Sequence, residues 1–215
     1  MMLFDPSLDV LSGVNVPSNL TRYFSDLAPD NTEQTRLSMA THPILEASYQ
    51  FFLAVADVTK LARIARSLNE SETRTLIQLQ ESILRLKEDA IDDPGKMLYV
   101  LAMRILLLKV DSALSILNVT EEMQRLLQQG LDIIRSLDVR KFLLGYLLWP
   151  LAVLGTITVD DNDRNIVENK ISLLAQTRHG QAVRAQRRLE VIWASEEGDK
   201  EMTILRRLRM LVEGI

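Results

Sequence analysis

FLLGYLLWPLAVLGTITV, residues 142–159, is a run of eighteen residues without a charge, set between Arg140-Lys141 and Asp160-Asp161. A helix that crosses a bilayer needs about 20 mainly apolar residues, so the run stands at the lower limit for a span. Pro150 interrupts it, while Gly145, Gly155 and two threonines lower its helicity and its apolarity. The segments around it are amphipathic and need something to bury their apolar faces against. The run therefore reads as a buried hairpin or kinked helix inside a soluble bundle, and membrane contact is not expected.

Working outward, Met97 to Leu117 is apolar almost all round, broken only by Arg104, Lys109 and Asp111, and is expected to be the spine of the core. Asp92-Asp93-Pro94 starts it, with a capping carboxylate and a proline at the first helical position. Asn118 to Thr120 reads as a break, after which Met123, Leu126, Leu127, Leu131, Ile134 and Leu137 form the next stripe. Upstream, Ile44, Leu45, Phe51, Phe52, Val55, Val58, Leu61, Ile64 and Leu68 keep to one side of a helix that follows Pro43. Asn69 and Glu72 have capping-box spacing ahead of the stripe Leu76, Leu79, Ile83 and Leu86, with Ile77 and Leu84 beside it.

Downstream, Asp160 to Asp163 opens a helix running to about Leu174, which Arg178-His179-Gly180 is expected to close. Val183 to Trp193 and Met202 to Val212 supply two more. The expectation is an all-α fold: a single bundle of about eight helices over residues 41–215. Residues 1–40 carry Pro6, Pro17 and Pro29 and sustain no period, so they read as a mobile N-terminal arm, acidic overall and mixed with apolar residues. Acidic-hydrophobic mixing of that kind can recruit coactivators.

Composition agrees and narrows the chemistry. Eight Gly and six Pro in 215 residues argue against a turn-rich β sandwich, and 47% apolar residues argue against disorder. A net charge of −4 gives no general affinity for nucleic acid, and the modest basic excess near the C-terminus, around Arg184, Arg187, Arg188, Arg206, Arg207 and Arg209, reads as a solvated face. With no cysteine there is no disulfide framework, thiol nucleophile or Cys-based zinc site. The start Met1-Met2-Leu3-Phe4-Asp5-Pro6 has neither the basic nor the apolar stretch of a secretory signal.

His42 and His179 lack metal-ligand spacing, and neither is preceded three residues earlier by the Glu of a di-iron motif. No phosphate-cradling glycine loop and no nucleophile elbow occurs. Asp160-Asp161-Asn162-Asp163 lacks the glycine and closing glutamate of a calcium loop and reads as helix capping. No cofactor and no metal are expected, and nothing marks a general acid or base, so the chain is not expected to be an enzyme. Phe142, Tyr146 and Trp149 near Pro150, together with Trp193, are the candidates for lining an apolar ligand pocket beside a kink.

The order Leu148-Trp149-Pro150-Leu151-Ala152-Val153-Leu154-Gly155, then Asp163-Arg164, then Val191-Ile192-Trp193, resembles the C-terminal regulatory domain of fungal zinc-cluster transcription factors. The stretch from Phe52 to Arg63 is similar to the first helices of the same domain, and the resemblance spans about residues 40–195. It implies an all-helical effector domain in transcription regulation, nuclear or also cytoplasmic. In the sterol-sensing members such a domain holds an apolar small-molecule effector. Having no cysteine, this chain cannot build the family's zinc cluster, so no direct contact with nucleic acid is expected. Either an upstream cluster is missing from the sequence or the chain acts through the transcription machinery or a DNA-binding partner protein. Two readings from other classes stay open: an enzyme converting an apolar substrate, and a membrane-associated protein using residues 142–159.

Overall fold

The computed structural model describes residues 41–42, 47–64, 66–110, 116–139, 147–176, 179–198 and 204–213. A two-residue antiparallel pair, β1 (Thr41–His42) with β2 (Ala47–Ser48), leads into α1 (Tyr49–Ala62). Then follow α2 (Glu70–Asp89), α3 (Pro94–Val110), α4 (Ile116–Ser136), α5 (Leu148–Ile157), α6 (Asp161–Ala175), α7 (His179–Gly198) and α8 (Ile204–Glu213). The fold is all-helical, as the periodicity predicts.

Local chemistry sets three of the helix starts. Asn69 caps α2 with a complete capping box: its side-chain oxygen accepts from the Glu72 amide at 2.9 Å, and the Glu72 carboxylate accepts from the Asn69 amide at 2.8 Å. The Asp93 carboxylate accepts from the Lys96 amide ahead of Pro94, and Asp160 accepts from the Asn162 amide at the head of α6.

Other boundaries differ from the sequence reading. Asn118 to Thr120 lie inside α4, since the tertiary packing of Val119 and Met123 outweighs the modest helix propensity of Asn and Thr. His179-Gly180 open α7 instead of closing α6, which ends at Ala175 with Gln176 in an ordinary helical conformation. Pro150 is the third residue of α5, where its missing N–H falls among the donors that have no intrahelical partner. The proline thus belongs to the first turn of a helix and does not kink one.

Two helices form the interior. α3 buries Leu98 to Met103 and Ile105 to Leu107, and it packs against α1, α2, α4 and α5. Every residue of α5 is buried, and α5 packs against α3, α4, α6, α7 and α8. Two glycines permit this crowding. A Cβ on Gly130 of α4 would meet the Leu154 methyls at 2.9 and 3.0 Å, and one on Gly155 would meet Val167 Cγ1 at 2.9 Å and Leu189 Cδ1 at 3.0 Å. At about 15 Å, α5 is half as long as a bilayer core is thick. Among the described residues, no helix is long and apolar enough to cross a membrane.

Candidate functional site

The carboxyl end of α5 is where the later half of the chain converges. A helix end buried from water must find partners for its last carbonyls. Thr156 Oγ1 donates to the Ala152 carbonyl at 2.7 Å, and Thr158 Oγ1 donates to Gly155 O at 2.7 Å. Trp193 of α7 donates its indole N–H to the same Gly155 oxygen at 2.9 Å. From α8, the buried Arg207 guanidinium donates to Thr158 O at 2.9 Å, and Arg164 of α6 stands 5.7 Å above the Trp193 ring. Cations at the negative end of a helix dipole and over an indole face are favourably placed.

Trp149 lies near the other end of the same helix. Its ring stacks on Tyr99 of α3 with centroids 5.3 Å apart and planes 13° apart, and Phe51 of α1 meets Tyr99 edge-on at 5.7 Å. The Trp149 indole N–H is buried without an acceptor among the described residues. Of the four aromatic residues singled out by sequence, Phe142 and Tyr146 lie outside the described residues. Trp149 and Trp193 are described and are not brought together: they serve opposite ends of α5.

Two surface grooves lie elsewhere. One, of about 190 Å³, is bounded by Gln80, Ile83 and Leu84 of α2, by Arg104, Leu107 and Leu108 of α3 and by Glu122 of α4. A wider groove of about 480 Å³ runs along Glu121, Gln124 and Gln128 of α4 to Ile157, Asp160 and Asp163. Neither is lined by Trp149 or Trp193.

In the first groove Glu122 accepts from Arg104 at 2.8 Å and from Arg125 at 2.6 and 2.7 Å. The Arg125 hydrogen bonds, with Arg104 and Lys87 nearby, hold the Glu122 carboxyl below the usual range despite partial burial. Burial pushes the Arg104 guanidinium down, Glu122 partly restores it, and the neighbouring Arg125 lowers it again. Sequence spacing gave no hint of this cluster, since Arg104 and Glu122 are eighteen residues apart on different helices. Among the described residues no group of acids and histidines is arranged to hold a metal ion.

Residues 8–204 match the family described as the fungal specific transcription factor domain. The chain belongs to that family. No curated protein and no solved structure matches it. The family match supports a role in transcription regulation and agrees with the all-helical architecture. The match begins at residue 8, well inside the segment set apart by sequence as an arm, and it ends where α8 begins. The helix that supplies Arg207 to the α5 terminus therefore lies almost wholly beyond the matched region.

Proposed function

We propose that this chain is the helical regulatory domain of a fungal transcription regulator, that it works in the nucleus, and that its contact with DNA is made by another polypeptide or domain. The family match over residues 8–204 carries this reading. The absence of cysteine from these 215 residues supports the second half, because a binuclear zinc cluster needs thiolate ligands. Fusing the chain to an unrelated DNA-binding domain tests it directly: reporter transcription should change several-fold in one direction. A fusion that binds its operator and leaves transcription unchanged overturns the proposal.

A second reading adds a small-molecule effector and rests on one observation, the buried Trp149 N–H that lacks an acceptor among the described residues. A buried donor left unpaired costs about 1–3 kcal/mol, which an apolar ligand carrying one hydroxyl or carbonyl oxygen would recover. Sterols and long-chain alcohols are the probes. Binding should raise the melting temperature of the wild-type protein and raise it less in Trp149→Phe, which keeps an apolar ring and loses the donor. No shift with any probe removes the effector and leaves the regulatory reading standing.

A further inference from the structure

Three large apolar residues on the described surface stand in one line. Ile77, Leu84 and Ile91 are 51%, 58% and 69% exposed and follow one another at seven-residue intervals. Ile77 and Leu84 lie on α2, and Ile91 lies in the turn that continues it. Seven residues are close to two helical turns, so the three side chains form a ridge along the helix. The other exposed large apolar residues among those described, Val159 and Val191, stand singly, which is ordinary for a protein surface. α2 is an outer helix that packs on α1 and α3 through an inward face carrying Leu76, Leu79 and Ile83, and the ridge lies off that face. An apolar ridge at a seven-residue repeat is what one strand of a coiled coil presents to another.

Charge selects the occupant. Glu81 and Glu88 run along one edge of the ridge and Lys87 lies along the other, all three exposed. A second copy of α2, related by a two-fold axis parallel to the helices, sets unlike edges together. Glu88 of each copy then stands beside Lys87 of the other, while Ile77, Leu84 and Ile91 each meet their own counterpart. An antiparallel pair sets like edges together, and with Leu84 against Leu84 it would face Glu81 with Glu88 of the other copy. Bulk favours the same choice. The inward residues Leu76 and Ile83 lie beyond the Lys87 edge, so a parallel pair places the two bundles on opposite sides of the seam and an antiparallel pair crowds them onto one side.

We infer that two copies of this chain pair through α2, parallel and in register, with Ile77, Leu84 and Ile91 in the seam and Glu88 of each copy beside Lys87 of the other. The pairing does not depend on the regulatory reading above. The seam spans two heptads, about 21 Å, which makes it a small contact and sets the expected affinity in the micromolar range.

Sedimentation velocity on the full chain, across about 1–100 µM, tests the pairing. Wild type should pass from monomer to dimer over that range. Leu84→Glu should weaken the dimer about tenfold or more, because it removes the central apolar contact and adds a carboxylate beside Glu81 and Glu88. Lys87→Glu should weaken it several-fold, and adding Glu88→Lys should restore it, because the exchanged charges again face each other across a parallel seam. All three positions are exposed, and unaltered thermal melts by circular dichroism verify that the variants fold. A wild type that stays monomeric throughout overturns the proposal. So does a dimer that Leu84→Glu leaves intact, which places the interface elsewhere, and so does a double variant no tighter than Lys87→Glu, which rules out the parallel register.

Discussion

The indole N–H of Trp193 and the carbonyl of Gly155, thirty-eight residues apart in sequence, are joined by a 2.9 Å hydrogen bond at the buried end of α5. Trp193 is here both a large apolar group and a helix cap. Trp193→Phe keeps most of the packing and loses the donor, so it should cost about 1–2 kcal/mol. For a chain of this size each kcal/mol lowers the melting temperature by about 2–4 °C, which differential scanning calorimetry resolves.

Gly155 and Gly130 should respond differently to alanine. At Gly155 the new methyl would press on Val167, a branched side chain anchored close to its own backbone, and on Leu189 from a second helix. Gly155→Ala should therefore be destabilising, by about 1–3 kcal/mol. At Gly130 the three nearest atoms all belong to the Leu154 side chain, the two closest being its terminal methyls, and alanine gains up to about 1 kcal/mol in helix propensity. Chemical denaturation should show Gly130→Ala as the milder of the two.

Arg207 is buried and spends a charge-assisted hydrogen bond on Thr158 O. Arg207→Met should cost about 1.5–3 kcal/mol, while Arg209→Met, on the exposed side of the same helix, should stay within about 0.5 kcal/mol. A comparable loss at both positions would show that the guanidinium contributes through net charge and not through the α5 terminus.

Glu122 gives the fold an acid-sensitive point. Its folded-state carboxyl is held below the unfolded value, chiefly by Arg125, so its contribution is full above the unfolded value of about 4.3 and fades as pH falls through the folded one. Glu122→Gln should cost about 1 kcal/mol at pH 7, and the gap between the two proteins should narrow progressively as pH falls below the unfolded value. Denaturation midpoints measured across that range check the sign.

What the sequence made legible was local. Asn69 with Glu72, Asp93 with Pro94, and Asp160 announce helix starts because each satisfies its own backbone within three residues. The stripes Leu76-Leu79-Ile83 and Met123-Leu126-Leu131-Ile134 face the core as their spacing demands. Pro150 misled because a proline has opposite meanings in the first turn and in the middle of a helix, and the choice depends on where α5 starts. The α5 terminus was illegible for a different reason. Arg207 reaches Thr158 across forty-nine residues, and in sequence it is one of several arginines in a basic tail. Trp149 and Trp193 stand out in the sequence as its two tryptophans, yet the stacking on Tyr99 and the cap on Gly155 are relationships that no spacing encodes.

The complete burial of α5 also bears on the order in which the protein can be made. Its walls come from both directions along the chain: α3 and α4 precede it, while α6, α7 and α8 follow. A growing polypeptide that has emerged only as far as Ile157 carries the most apolar helix of the bundle with half of its covering not yet synthesised. At about 5–20 residues per second, the fifty-odd residues to the end of α8 take several seconds to add. During that interval the exposed helix is a natural client for chaperones, until α6, α7 and α8 supply the rest of its covering.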